Sequence, residues 1–512
     1  MSTAYKYHLT FAIFGGVLCI ATTVPALAAV SIETSILREA VTVEGVRAHQ
    51  AAFQAIADAN SDTREAGTPG YQESVDYVSD KMEQAGYEVT IQSFDFPYFK
   101  ELEPAELQQI DPIPTTYPYF DVSGFATMVY SGSGDVTAIA EGVDLLLPPA
   151  TVANTSTSGC EASDFAGFAP GNIAVIQRGT CTFRQKAQNA EAAGAVGVII
   201  FNEGQPGRAA AFLGTLGGPG VTIPVVGAAF DVGEELATGG VTVRMFVNAV
   251  SETRISSNVL AETPSGRNDR VVIVGAQLDS VRAGPGIQNN GSGSAAILEI
   301  ALQMKELNIV PRNKVRFAWW GAEESGLVGS QFYVDNLSKR DIKSIALNLN
   351  FDMIGSPNFV RFVYDGDGSD TSIAGPNGSQ NIEQVFLNYF ENDAGALPTE
   401  PTAFDGRSSY APFITVGIPA GGLFTGAEGI KTEEQAAIYG GTAGEQYDPC
   451  YHLACDTYDN ISLEALDQMS DAAAHAVLTF AMTTSSVNGT DKGTSPSQST
   501  DGLRNRGTYL VK

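Results

Sequence analysis

At 512 residues, with 44% apolar and 17% charged side chains, the chain is globular in composition and long enough for more than one core. Its 58 acidic residues against 29 basic ones give a net charge of -29, which repels nucleic acid and anionic membranes. The 54 glycines and 24 prolines indicate many turns and no repeat.

Residues 1–29 read as a secretory signal: Lys6 precedes an apolar run from Leu9 to Ile20, and Ala26-Leu27-Ala28 forms a small-residue cleavage site. The expected compartment is therefore extracellular or periplasmic, with no membrane association after cleavage. Removing the signal takes away Cys19 and Lys6, leaving four cysteines and a net charge of -30. An even cysteine count suits an oxidising compartment, where Cys450 and Cys455 would pin one loop and Cys160 and Cys181 would close another.

Glu44 to Asn60 carries apolar residues at helical intervals, and Asn60 to Gly70 is rich in turn formers. Tyr71, Val75, Val78, Met82 and Ala85 recur at steps of four and three, one face of a helix ended by Gly86. A strand with alternating Tyr87, Val89 and Ile91 follows. From Pro112 to Ser251 the texture turns to short strands and glycine-rich turns, with a β-α-β unit expected at 173–177, 182–193 and 196–201. The apolar run Val271 to Val274 reads as a buried parallel strand whose carboxyl end carries polar residues, the place where open α/β sheets put ligands. In the next helix Ile297, Ile300, Ala301 and Met304 share a face, and Glu299 reads as solvated. Two further apolar strands end in carboxylates: VRFAWWGAEESG at 315–326 and LNLNFDMIGSPN at 347–358. Phe404 to Gly429 is loop-rich, with Ile418 and Phe424 as candidates to receive an apolar side chain. DPCYHLACD at 448–456 carries a histidine between two cysteines. Leu463 to Phe480 reads as a last helix in which His475 is structural. The Ser/Thr/Gly-rich residues 485–512 read as a flexible tail.

The blocks GPGIQNNGSGSAA, RFAWWGAEESGLVGS, NFDMIGSPN, DGRSSYAPF, GIPAGGLFTGAEGIKT and DPCYHLACD stand in the order found in the secreted di-zinc leucine aminopeptidases. From about Glu44 to Ala481 the chain resembles that family, which includes glutamate-carboxypeptidase-like and transferrin-receptor-like proteins. The resemblance implies an α/β fold, with a mixed, mostly parallel sheet flanked by helices as in zinc exopeptidases. That domain would be discontinuous, at 30–111 and 252–484. Residues 112–251 resemble the β-rich protease-associated domain inserted into such peptidases, as a lid, a recruiting module or a stabilising appendage.

The family reaction is release of N-terminal residues from peptides, and five residues hold two zinc ions. Glu324, Asp352 and His452 match three of the five, but the family's histidine is Gln277 here and its bridging aspartate is Asn289. By the same resemblance Glu323 corresponds to the general base and Tyr451 to the residue that hydrogen-bonds the developing oxyanion. Arg407 and Tyr410 are candidate substrate contacts beside Phe424, and Ser409 stands where the family carries Asp. Two dications at ~3.5–4 Å repel by roughly 18 kcal/mol at an effective dielectric of ~20, a cost that a shared carboxylate offsets. Asn289 supplies no charge, and Gln277 exchanges an imidazole for a weak amide ligand. The expectation is at most one weakly held zinc ion, or none. The protein then reads as a catalytically impaired or inactive relative that binds peptides or protein N-termini, a pseudoenzyme. The alternative is an active mono-metal aminopeptidase that prefers apolar N-terminal residues.

Overall fold

Strands that read as uninterrupted apolar runs have to be covered on both faces, and the centre of the molecule is built from such strands. In a computed structural model, which describes residues 32–488, Arg267–Gln277 lies between Asn313–Trp320 and Ile345–Phe351, parallel to both. Ala420–Phe424 extends this parallel core, and Phe362–Tyr364 and Glu400–Thr402 complete that end of the sheet. The last seven residues of Arg267–Gln277 and all of Ile345–Phe351 are buried. Each fully buried Val, Leu, Ile or Phe side chain contributes about 1.5–3 kcal/mol, so this core dominates stability.

Helices cover both faces. Gly291–Glu306 and Leu463–Met482 pack together and against the central strands, with Val43–Ala59 and Pro69–Gln84 behind the first. On the other face Ile273 and Trp320 cluster with Tyr333 and Phe413 from the helices Val328–Asp335 and Ala411–Thr415. The helix starts are capped as their sequences suggest: the Thr42 side chain accepts from Gly45 N and Ser462 from Ala465 N. Pro69 opens the helix that Gly86 follows with φ +81°. The α/β class and mixed sheet expected from the sequence are present.

The strand expected at Tyr87–Ile91 is much longer. Glu88–Asp111 pairs antiparallel with Val241–Glu262, from Glu88 opposite Glu262 to Asp111 opposite Thr242. Val241–Glu262 also pairs with Asn313–Trp320 through residues 259–262 and with Gly134–Val143 through 241–247. One fourteen-stranded sheet thus runs unbroken from the central domain into the insertion, and the chain passes through 251/252 in mid-strand.

Within the insertion Gly134–Val143, Ile173–Gln177, Gly197–Phe201 and Val225–Ala228 are parallel neighbours, and Phe125–Thr127 closes the edge. Ile173–Gln177, the helix Phe183–Ala192 and Gly197–Phe201 form the expected β-α-β unit. Apolar clusters lie on both faces of this part of the sheet, and Ala105 and Leu107 of the long ribbon join one of them. Cys160–Cys181 and Cys450–Cys455 are disulfide-bonded. The expected signal, 1–29, and residues 489–512 of the expected tail lie outside the described residues; 485–488 form a short helix.

One expectation fails in the core. Glu299 is 7% exposed, and its carboxylate lies 3.1 Å from His49 Nε2 and accepts from Gln303. Gly291–Glu306 is buried nearly all round because Val43–Ala59 packs on its outer face, so a position that looks solvent-facing by periodicity is covered.

Candidate functional site

Parallel strands in register deliver their next residues to one edge. Trp320 is the register partner of Gln277, and Asn350 that of Gly275, so the residues after these strands converge. Gln277, Glu323, Glu324 and Asp352 all sit there, each at most 8% exposed. The loop before Gly291–Glu306 adds Asn289 and Asn290; Asn290 caps that helix through Gly293 N and accepts from Met353 N.

Because a carboxylate only accepts hydrogen bonds, the amide nitrogens face the carboxylates and the network is closed. Asn289 Nδ2 donates to Glu324 Oε1 at 2.8 Å, and Gln277 Nε2 donates to Asp352 Oδ1 at 3.0 Å and to Asn289 Oδ1 at 3.2 Å. Asn290 Nδ2 donates to Gln277 Oε1 at 2.7 Å. Ser408 Oγ donates to Asp352 Oδ2 at 2.6 Å and accepts from Asn350 Nδ2 at 2.8 Å. The remaining Glu324 oxygen, Oε2, lies 3.2 Å from His452 Nε2.

The disulfide loop sets the far wall. His452 adopts φ +59°, a left-handed conformation costing a non-glycine residue about 1–2 kcal/mol, and its ring stacks on Tyr451 at 3.8 Å between centroids. Arg407 donates to the Tyr451 hydroxyl at 3.2 Å and pairs with Glu428 at 2.7 Å. These groups enclose a cavity of about 310 Å³, lined by Gln277, Asn289, Glu323, Glu324, Asp352, Arg407 and Tyr451, with Phe362, Phe424 and Tyr447 as its apolar wall. His452 faces a second, larger cavity on the other side of Glu324.

The electrostatics follow from crowded, buried acids. Burial, then the charges of Glu324 and Asp352, push the Glu323 carboxyl well above the ordinary range, and burial raises Asp352 to about 6.

Two expected contacts are corrected. Tyr410 is fully buried beneath this cavity, and its hydroxyl donates to Asp405 and accepts from Gly406 N, so it supplies no surface to a ligand. Ile418 is core, packed with Trp320 and Phe413. Ser409 is likewise buried, and it is its neighbour Ser408 that reaches Asp352.

Residues 258–477 match the model of peptidase family M28, and residues 146–236 match the PA domain. The chain is 50% identical over 435 residues to an aminopeptidase of Pseudomonas aeruginosa, covering 84% of this chain and 80% of that protein. The chain belongs to peptidase family M28. Among solved structures, an aminopeptidase from Aneurinibacillus sp. strain AM-1 superposes with a TM-score of 0.59 at 27% identity, over 87% of this chain and 95% of its own. A zinc aminopeptidase from Bacillus subtilis gives 0.54 at 26% identity, over 85% and 94%.

The family suggests zinc. The candidate ligand atoms of this M28 chain are engaged with one another. Both amide oxygens that could serve as neutral ligands already accept hydrogen bonds, and three of the four carboxylate oxygens of Glu324 and Asp352 are held by N–H or O–H donors. Among the described residues, the three acidic groups whose ligand atoms come within 4.8 Å of one another are Asp365, Asp367 and Glu383, outside this cavity.

Three supporting residues escape a reading of the sequence. Asp279 accepts from Glu323 N and Glu324 N, and burial followed by the Glu324 charge raises it to about 8. Asp456 accepts from Gln288 N and Asn289 N, tying the disulfide loop to the amide loop; burial, then Asp448, raises it to about 7. Fully buried Arg64 donates to the carbonyls of Leu278, Pro285 and Gly286. Asp279 follows the apolar run Val271 to Val274 and Asp456 ends the DPCYHLACD block, so their places are legible though their roles are not; Arg64, more than two hundred residues away, carries no local signal.

Proposed function

We propose that this M28 protein binds the free amino termini of peptides and is catalytically impaired or inactive as an aminopeptidase. The observation that carries the reading is the pair of amides: Asn289 and Gln277 present N–H donors to Glu324 and Asp352, satisfying acids that a cation would otherwise compensate. Glu323 then has only ordinary water to act on, whose pKa of about 15.7 puts it out of reach of a carboxylate at working speed. Recognition is less affected. Glu324 and Asp352 form an acidic floor that attracts an ammonium group, Arg407 and Tyr451 offer donors to a peptide carbonyl, and Phe424 with Phe362 receives an apolar first side chain. The two disulfides and the leader-like residues 1–29 support a secreted or periplasmic setting. No helix of the described residues is long and apolar enough to cross a membrane.

The approach of Glu324 Oε2 and His452 Nε2 favours a second reading, in which the chain holds a single zinc ion and is an active aminopeptidase for apolar N-terminal residues. Against it, catalytic zinc sites ordinarily supply three protein ligands. Metal analysis of chelator-free protein, leucinamide calorimetry and leucyl-anilide turnover separate the two. The expected result is well under one equivalent of zinc, leucinamide binding, and no turnover with added zinc, cobalt or manganese. Two equivalents of zinc, or turnover lost in Glu323→Ala, would overturn the proposal.

A further inference from the structure

The cavity on the far side of Glu324 measures about 470 Å³ and lies between the inserted domain and the central one. Its floor is Asp279 to Ala283 with Glu324, Ser325 and His452, and its roof comes from the insertion: Tyr119, Phe120, Val129, Leu213, Gly214 and Thr215. Glu324 lines both this space and the 310 Å³ cavity, so the two adjoin at that side chain. The smaller one lies at the low end of ligand-pocket volumes, enough for a terminal residue and little more.

Both glutamates on the insertion-facing side of the larger cavity are already engaged. Glu101 accepts from Tyr119 and Thr127, while Glu65 accepts from Tyr98 and pairs with Arg282, which also donates to Phe99 O. Phe99, Phe120, Val129 and Leu213 remain for recognition, and two of them are open to solvent, Phe120 at 64% and Leu213 at 42%. Phe120 is also held at φ +56° by its amide on Phe125 O. An exposed phenylalanine in a left-handed conformation is unfavourable on two counts, and such features cluster where ligands bind.

Resting on the reading of the first cavity above, we propose that a bound peptide runs past Glu324 into this cleft, where Phe120 and Leu213 of the inserted domain select apolar residues after the amino-terminal one. The insertion is then part of the recognition surface, and the ligands are peptides of three or more residues.

Calorimetry on the full chain with leucinamide, Leu-Gly-Gly-amide, Leu-Phe-Phe-amide and N-acetyl-Leu-Phe-Phe-amide tests this. Leu-Phe-Phe-amide is expected to bind about tenfold or more tighter than Leu-Gly-Gly-amide. The surface double variant Phe120→Ser/Leu213→Ser should shrink that ratio to about twofold and leave leucinamide binding unchanged. A free-amine preference with equal affinity for the two tripeptides, or a ratio untouched in the double variant, overturns the cleft alone. Equal binding of acetylated and free peptides overturns the reading of the first cavity and, with it, this continuation.

Discussion

Asn289→Asp puts the amide network to its most direct test, because it changes one atom type at the centre. The Nδ2 group that donates to Glu324 Oε1 at 2.8 Å becomes a carboxylate oxygen. Loss of a hydrogen bond to a charged acceptor costs about 1.5–3 kcal/mol. Two carboxylates relaxed to ~4 Å repel by roughly 4 kcal/mol at an effective dielectric of ~20. Uptake of a proton caps the total, so the variant should be about 3–5 kcal/mol less stable than the parent in EDTA at neutral pH. The sign with pH follows: the new acid has a raised pKa in the folded state, so the folded form binds more protons than the unfolded one and the penalty shrinks as pH falls. Urea unfolding in EDTA measures it. Adding Gln277→His and saturating zinc should reverse the loss, since a ligand at a thousand times its Kd adds about 4 kcal/mol. If Asn289→Asp unfolds within about 0.5 kcal/mol of the parent in EDTA, a shift ordinary for a surface substitution, the donor role of Asn289 is refuted. The same holds if the parent gains as much from zinc as the double variant.

Gln277→His/Asn289→Asp should also acquire leucyl-anilide turnover in zinc, absent in the parent and abolished by a further Glu323→Gln, measured by initial rates. His475 is held neutral, its pKa lowered to about 4 by burial against Tyr389 despite nearby Asp393 and with help from Arg38. The unfolded chain charges this group below pH 6.5 and the folded chain does not, so its contribution is flat above 6.5 and declines toward pH 4. The loss is on the order of 3 kcal/mol, and His475→Gln should lack that limb when its unfolding is compared with the parent's at each pH. Glu299→Ala should cost about 1–3 kcal/mol by leaving buried His49 Nε2 without its hydrogen-bond partner, whereas Glu299→Ala with His49→Phe should recover part of that in thermal melts.

What the sequence makes legible is chemistry that sits directly after a strand. Glu323, Glu324 and Asp352 each follow an apolar run within a few residues, so the strand end locates them and the motif order supplies the fold. Arg64 and Tyr410 are different: their roles depend on which backbone carbonyls or loops come to rest against them, and no neighbour in the chain announces that. The long ribbon was hidden for another reason. Glu101, Glu103 and Glu106 interrupt the apolar alternation, yet an exposed antiparallel pair tolerates acids, and Arg244 and Asn248 across the strand meet two of them. Glu299 misled because periodicity reports how a helix is patterned, not how many neighbours cover it.

The shared ribbon also decides how the molecule can be taken apart. Residues 99–111 are zipped to 242–251, so excising 112–251 at its apparent ends would strip one strand of its mate and bare a row of unpaired amides, an invitation to aggregate. Phe99 faces Ser251, and a short turn joining those two would leave every remaining rung intact. Trimmed there, the parent scaffold sheds its appendage without a raw edge.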